Sequence, residues 1–553
     1  MSEAQSRPAA LSRCFLPNWL MQRRAWGISV QLYELRSARN WGIGDFQDLA
    51  EFAQLAGEAG AEFVGLNPLH ALFMAEPYRR SPFSPSNRRF LNPLYIAVDH
   101  VEGFEPAMAD EAKLEQLRAV DLVDYPGVAE AKLNALKKIW RKRKPKLAEP
   151  DPQLRLHALF EALSLDMVAK GHGAGWLSWP EEFHDPNSAP VKKFATAHED
   201  EIAFHVWLQQ LAREQLESAG KAAKAAGMRI GLYLDFAVGE APDGSATWGD
   251  RELSVRGVSV GAPPDVFTAA GQDWGLAPLA PDALAANDFA AYRELMAAAA
   301  RNAGALRIDH AMSLRQLFWI PVGRPAAEGA YVQYPLEGTI AALAELSNAQ
   351  EMVVIGEDLG HVPEGFRDTM AAAHILSYRI LYFEKRGQRF IAPKDWPLLA
   401  LACLSTHDLP TLKGWWAGDD ISLRAEYGLI SQAAATLQRR ERRTERRSLL
   451  EAFARAGLLS RRDMRWLLAR RTLDDAVYAR LAVAAHRYIA RTPGRLTAMR
   501  LADAVGEFHP TNLPGTSDEY PNWQRKLDVP LEQIRGSALF GQLTAALRRE
   551  RPA

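Results

Sequence analysis

Near the middle of the chain, Leu306-Arg307-Ile308-Asp309-His310 closes a short apolar run with a cation, a carboxylate and an imidazole. Side chains two apart on a strand share a face, so Arg307 and Asp309 point the same way. Burying such a pair costs desolvation that the attraction does not always recover, so burial alone is a weak reason to keep it. At the C-terminal end of a strand, Asp309 is instead a carboxylate held by Arg307 and oriented for nucleophilic attack. A structural ion pair closing the strand is the other reading of this segment taken alone.

The pattern recurs. Met352-Val353-Val354-Ile355-Gly356 runs into Glu357-Asp358, Leu401 to Ser405 runs into Thr406-His407-Asp408, and MRIGLYLD from Met228 ends in Asp235, a cap or a site residue. The carboxylates Asp309, Glu357 and Asp408, with Arg307, His407 and aromatic loops nearby and no Cys or His set of metal-ligand spacing, suit glycoside chemistry. One acid attacks the anomeric carbon, another protonates the leaving oxygen, and the oxocarbenium-like transition state needs negative charge beside it. Glu357, desolvated among other acids, is the one expected to be raised in pKa and to hold a proton. A structural ion network perturbs pKa values too, so a site requires one fold that brings these segments together.

Trp26, Phe63, Met228, Ala305, Met352, Ser377, Leu401 and Leu496 open eight strand-like runs interleaved with helical pattern, the inventory of a (β/α)₈ TIM barrel. In that fold the C-terminal strand ends form one face, which gathers Asp309, Glu357 and Asp408 from strands four, five and seven. Residues 26–530 then form the barrel, with helical insertions at about 105–227 and 422–492, an N-terminal extension at 1–25 and a C-terminal helix at 531–553. Too few residues follow Leu527 for a C-terminal β-sandwich, so none is expected. The loop carrying Phe83 among Ser81, Ser84, Ser86 and Asn87 suits a ligand-facing surface, although a plain surface turn reads equally well. Val258 to Pro278, with Pro263-Pro264-Asp265 and Gly271-Gln272-Asp273-Trp274-Gly275, is too rich in Gly and Pro for a regular element and long enough for a lid. Its Trp274 suits stacking on a sugar or filling a small core under the loop.

Composition narrows the function. Of the 553 residues, 48% are hydrophobic and 24% charged, with a formal net charge of −1, which favours neither disorder nor a polyanionic partner. KKIWRKRKPK at Lys137 and QRRERRTERR near Glu441 and Glu445 read as solvated helix faces, the second paired within itself, not as nucleic-acid sites. The GxG of Gly42 and Gly44 lacks the third glycine of a dinucleotide site, and no phosphate loop occurs, so no cofactor is expected. Two unpatterned cysteines, Cys14 and Cys403, read as free thiols; with no signal peptide and no membrane span in the sequence, a cytoplasmic protein is expected.

The motifs NWGIGDF, GLNPLHAL, SPFSPSNRRFLNPLYI, VGAPPDVFTAAGQDWGL, LRIDHAMSL, VIGEDLGHVPEGF, STHDLPTLKGWW and NLPGTSDEYPNWQRKL, in that order between Trp26 and Leu527, carry a resemblance. The chain resembles the 4-alpha-glucanotransferases (amylomaltases or disproportionating enzymes, glycoside hydrolase family 77) of the bacterial maltodextrin-pathway type. The resemblance implies transfer of a 1,4-alpha-glucan segment to the 4-OH of an acceptor glucose or maltodextrin, with malto-oligosaccharides and alpha-1,4-glucans as partners. It further implies Asp309 as nucleophile, Glu357 as acid/base and Asp408 as the acid that distorts and stabilises the sugar. Arg307, His407 and Asp235 would hold subsites, and Trp274 would overhang the acceptor side. Phe83 stands where the family usually has Tyr, which removes a phenol near the nucleophile and keeps the stacking face. The extra N-terminal domains of longer bacterial forms are expected to be absent. The competing readings are a hydrolytic alpha-amylase relative, which usually carries a C-terminal β-sandwich, and a glucan-binding protein without activity, which has no need of three clustered carboxylates.

Overall fold

Eight strands pair in sequence order, all parallel, and the last closes on the first: β1 (Ala25–Ser29), β2 (Phe63–Gly65), β3 (Gly231–Phe236), β4 (Ala305–Ile308), β5 (Val353–Gly356), β6 (Leu376–Ile380), β7 (Ala400–Cys403) and β8 (Leu496–Arg500). This (β/α)₈ barrel is seen in a computed structural model that describes residues 11–264, 270–470 and 473–552. Among the described residues seven helices cover it: α1 (Phe46–Glu58), α2 (Glu199–Ala225), α3 (Ala290–Ala299), α4 (Leu336–Ala349), α5 (Phe366–Ala372), α6 (Asp475–Ala490) and α7 (Ala538–Glu550). Between β6 and β7 the described residues form no α-helix; a short antiparallel pair and one 3₁₀ turn at Pro393–Asp395 take that place.

The strands are nearly all buried, as expected for a parallel sheet covered on both sides. β3 starts three residues later than Met228: the N–H groups of Ile230 and Gly231 both donate to the Glu62 carbonyl, and Gly231 has φ +84°, so the ladder begins only there. The final strand likewise stops at Arg500, followed by the short helix Leu501–Val505, not at Ala504. The NWGIGD segment is structural. Asp45 caps α1 by accepting from the Gln47 and Asp48 N–H groups, Asp48 returns a bond to the Asp45 N–H, and Arg39 bridges both carboxylates.

Helices Glu111–Ala119, Tyr125–Arg143, Pro152–Ala169 and Ala189–Ala197 lie between β2 and α2, and part of this region packs around a second apolar cluster that includes Phe160, Trp176, Trp179 and Trp248. Between β7 and β8 runs Gln432–Arg455, the arginine-rich helix. It is not simply an exposed, self-paired face: Arg442 is buried and donates to both Asp420 oxygens at 2.8 Å and to the Trp415 carbonyl at 2.6 Å, while Glu445 accepts from Lys385 at 2.5 Å. The basic run from Lys137 ends with Arg141, Lys142 and Arg143 exposed to solvent. No described helix is long and apolar enough to cross a membrane.

The expected irregular lid is corrected. Val258–Ala262 and Gln272–Leu276 are antiparallel strands of a four-stranded sheet completed by Gln316–Pro321 and Ala330–Gln333. Its glycines shape the hairpin: a Cβ on Gly261 would lie 2.0 Å from the Gln272 carbonyl oxygen, at the place where the register shifts, and Gly271 and Gly275 have φ +73° and +65°. Asp265 lies outside the described residues.

Candidate active site

β3, β4 and β5 set the first part of the site by register alone. Asp235 of β3 stands opposite Arg307 of β4, and Arg307 stands opposite Ile355 of β5. One guanidinium therefore serves two acids: Arg307 Nη1 lies 2.7 and 2.9 Å from the Asp235 oxygens and 2.8 Å from Asp309 Oδ1. The period-two argument for Arg307 and Asp309 is met by this contact. Burial, opposed by Arg307 and reinforced by the Asp309 charge, raises the Asp235 carboxyl to about 6.

Glu357 continues β5, its N–H donating to the Ile308 carbonyl at 3.0 Å. Its carboxylate accepts from the backbone N–H of His310 at 3.0 Å and of Leu359 at 2.8 Å, which holds it beside the residue that follows Asp309. His310 adopts φ +45°, turning the chain at the strand end. Glu357 is 8% exposed, and this burial lifts its carboxyl to about 7; Arg307 pulls it down, Asp309 pushes it up, and the two N–H donors only partly offset the rise. The neighbouring acid, Asp358, belongs to the scaffold: it accepts from Ser377 Oγ at 2.5 Å, the Tyr378 N–H at 2.8 Å and Arg367 Nε at 2.7 Å.

The opposite wall comes from β7 and two loops. His407 Nε2 lies 3.2 Å from Asp408 Oδ2, and Asn512 Nδ2 donates to Asp408 Oδ1 at 2.7 Å. The groove walls make ionising Asp408 harder, yet His407, Asn512 and the more distant Arg307 hold its carboxyl down at about 2. The Phe83 ring stacks on His407 at 4.6 Å and 26°, meets Trp523 at 5.4 Å, and lies 6.0 Å from the Arg307 guanidinium. On the other side Trp274 meets the His310 ring edge to face at 5.2 Å. All eight residues singled out in the sequence thus belong to one connected set of contacts.

Sequence reasoning passed over the residues beneath and beside this set. Tyr378 of β6 places its ring 5.6 Å from the Arg307 guanidinium. Glu34 is buried, raised by burial to about 7, and accepts from Thr511 Oγ1 at 2.8 Å, while Arg500 bonds Ser405. Glu34, Tyr378, Ser405 and Arg500 line the cavity at the barrel mouth with Gln31 and Tyr233, and Gln31 Oε1 and the Tyr233 hydroxyl have no hydrogen-bond partner among the described residues. A strand period signals Tyr378 and Tyr233, and Asn512 and Trp523 lie in the motif NLPGTSDEYPNWQRKL, but nothing local distinguishes Glu34.

A (β/α)₈ barrel that brings a buried Glu with a raised pKa and an ion-paired Asp to adjacent strand ends has the arrangement that carbohydrate-active enzymes with two carboxylates use. The profile of glycoside hydrolase family 77, 4-alpha-glucanotransferase, matches residues 30–531. The 4-alpha-glucanotransferase of Haemophilus influenzae is 36% identical over 551 residues, covering 94% of this chain and 78% of its own length. That of Mycobacterium tuberculosis is 38% identical over 546 residues, covering 93% of this chain and 73% of its own. The crystal structure of amylomaltase from Corynebacterium glutamicum superposes with a TM-score of 0.86 at 30% identity, covering 97% of this chain and 77% of that one. Amylomaltase from Streptococcus agalactiae, solved with acarbose, shares the fold at a TM-score of 0.72 and 17% identity, covering 96% and 99%. The chain belongs to the 4-alpha-glucanotransferase family, and it is an enzyme of glucan transfer.

Proposed function

We propose that the enzyme moves a 1,4-alpha-glucan segment between malto-oligosaccharides by a retaining double displacement. Asp309 attacks C1 of the donor sugar while Glu357 gives its proton to the departing O4, so that the reducing-end fragment leaves and a glycosyl ester remains on Asp309. Glu357, now ionised, takes the proton of an acceptor 4-OH as that oxygen attacks C1, which frees Asp309 and restores the acid. Each displacement inverts C1, and the product keeps the alpha configuration. Arg307 orients Asp309 and Asp235, Asp408 with His407 binds the distorted ring, and Phe83 and Trp274 offer faces to the sugars.

The observation that carries this reading is the contrast between the neighbours: Glu357 is raised to about 7 by burial and so can hold a proton near neutrality, while Asp309 faces the Arg307 cation at 2.8 Å. The mechanism expects the two carboxyl groups to work about 5 to 5.5 Å apart. Residues 26–530 act as one catalytic unit in this proposal, flanked by the segments 1–25 and 531–553. The setting is cytoplasmic, a reading supported by two buried thiols, Cys14 and Cys403, that remain unpaired. Incubation with maltotriose tests the whole reading: glucose together with a ladder of longer oligomers is expected. Glucose and maltose alone would make the enzyme a hydrolase, and unchanged maltotriose would make the protein a binder.

A further inference from the structure

Behind β3, on the outer side of the barrel wall, a crevice opens between α2, the turn after α3 and the strand Asn87–Leu91. Four guanidinium side chains line it: Arg88, Arg89, Arg213 and Arg301. The acid among the lining residues, Asp235, is already bound by Arg307 on the inner side of β3. Arg89, Arg213 and Arg301 have no carboxylate within ion-pair distance among the described residues; Asp250 and Asp151 reach Arg89 and Arg213 only through longer-range attraction. Arg213 lies 5.7 Å from the Phe90 ring, and burial, with repulsion from Arg301, holds its pKa below the ordinary arginine value. Arg88 is 1% exposed; its Nη1 donates to the Ala237 and Val238 carbonyls at 2.9 and 3.1 Å, and its Nε stands 3.4 Å from Glu240, while Nη2 has no hydrogen-bond partner.

Gathering like charges in a half-buried crevice without counter-charge is unfavourable, and an anion relieves it. Guanidinium forks fit the paired oxygens of a tetrahedral oxyanion, and the apolar wall of Phe90, Leu216 and Leu234 leaves room for little beyond the group bearing that charge. We propose that this crevice binds phosphate, either the free ion or the phosphate group of a hexose phosphate, through Arg213, Arg301 and Arg89. Leu234 and Asp235, consecutive residues of β3, both border the crevice, and Asp235 also bonds Arg307 on the barrel side, so the crevice adjoins the strand that carries part of the active site.

Isothermal titration of the full chain at constant ionic strength tests this, with inorganic phosphate, glucose 6-phosphate and glucose as separate titrants. Both phosphates are expected to bind and glucose is not. Equal affinities assign recognition to the phosphate alone, and tighter binding of glucose 6-phosphate adds a sugar contact. Arg213→Gln and Arg301→Gln should each weaken binding about tenfold or more. Arg301 is exposed in a turn, so its variant carries the test if loss of Arg213 disturbs folding. Absence of binding by either phosphate up to about 10 mM, or affinities unchanged in a folded Arg301→Gln protein, would overturn the proposal.

Discussion

Arg307 meets Asp235 and Asp309 with one nitrogen, which fixes both carboxylates relative to β4 and leaves Glu357 as the neighbour that must manage its own proton. Removing either chemical group should therefore cost turnover without costing the fold: Asp309→Asn and Glu357→Gln are each expected to lose about 10²–10⁴-fold or more in kcat, with unchanged circular dichroism. Near-native turnover in either variant would sink the assigned roles. Glu357 also makes a prediction about stability. Its carboxyl sits at about 7 in the fold against an ordinary 4.5, so between those values the folded state binds the extra proton and stability falls as pH rises. Glutamine does not titrate, so Glu357→Gln should gain stability relative to the parent from about pH 4.5 to about pH 7 and then level off, as read by urea unfolding across that range. Phe83 is half-buried in a stack on His407, with its ring near Arg307. Phe83→Tyr should keep the thermal midpoint and shift kcat or KM for transfer by about two- to tenfold through the new hydroxyl. Unchanged kinetics with a lowered midpoint would instead make Phe83 a packing residue.

The four-stranded sheet is the element that differs most from its sequence reading, and it changes how Trp274 is held. Trp274 is carried on a hydrogen-bonded strand, not a loose loop, and Asp273 stiffens the turn beside it by accepting from Ser259 and from the Gly275 N–H. The half-buried indole packs against His310, next to Asp309, and under the proposed mechanism its role is to keep water from the glycosyl ester until an acceptor arrives. Trp274→Ala should accordingly raise hydrolysis relative to transfer, measured as free glucose against longer oligomers from maltotriose; an unchanged ratio would remove that role. The arginine-rich helix teaches a related lesson: its charge run reads as a solvated face, yet Arg442 faces inward and ties Gln432–Arg455 to Asp420 and Trp415.

At the scale of the molecule, closure of the barrel depends on joining the two ends of the chain. β8 pairs with β1 from Ala25↔Leu496 to Ser29↔Arg500, and the C-terminal helix α7 packs on α6. Arg551, 2% exposed, sews this seam: it donates to the carbonyls of Ala490, Ala25, Gly494 and Thr492 at 2.8 to 3.2 Å. Arg551→Ala leaves these buried acceptors without that donor and should destabilise the protein by about 2–4 kcal/mol in urea unfolding. A loss below about 0.5 kcal/mol would show that the seam holds without it.

The positions of the eight barrel strands, the face shared by Arg307 and Asp309, and the strand-end carboxylates are all local properties. Alternation and apolar runs encode them within a few residues, and so the sequence alone determined them. The start of β3 drifted to Gly231 because Ile230 and Gly231 both donate to the Glu62 carbonyl, a contact far away in the chain. The hairpin around Gly261 was illegible because glycine marks both a loop and a bulged strand, and only a partner strand decides between them. Glu34, Tyr378 and the loop carrying Asn512 and Trp523 join the site from three separate segments, and the arginines of the outer crevice meet across α2, the turn after α3 and the strand Asn87–Leu91. No spacing in the chain announces such encounters, because they come from barrel closure and helix packing, which act between residues hundreds of positions apart.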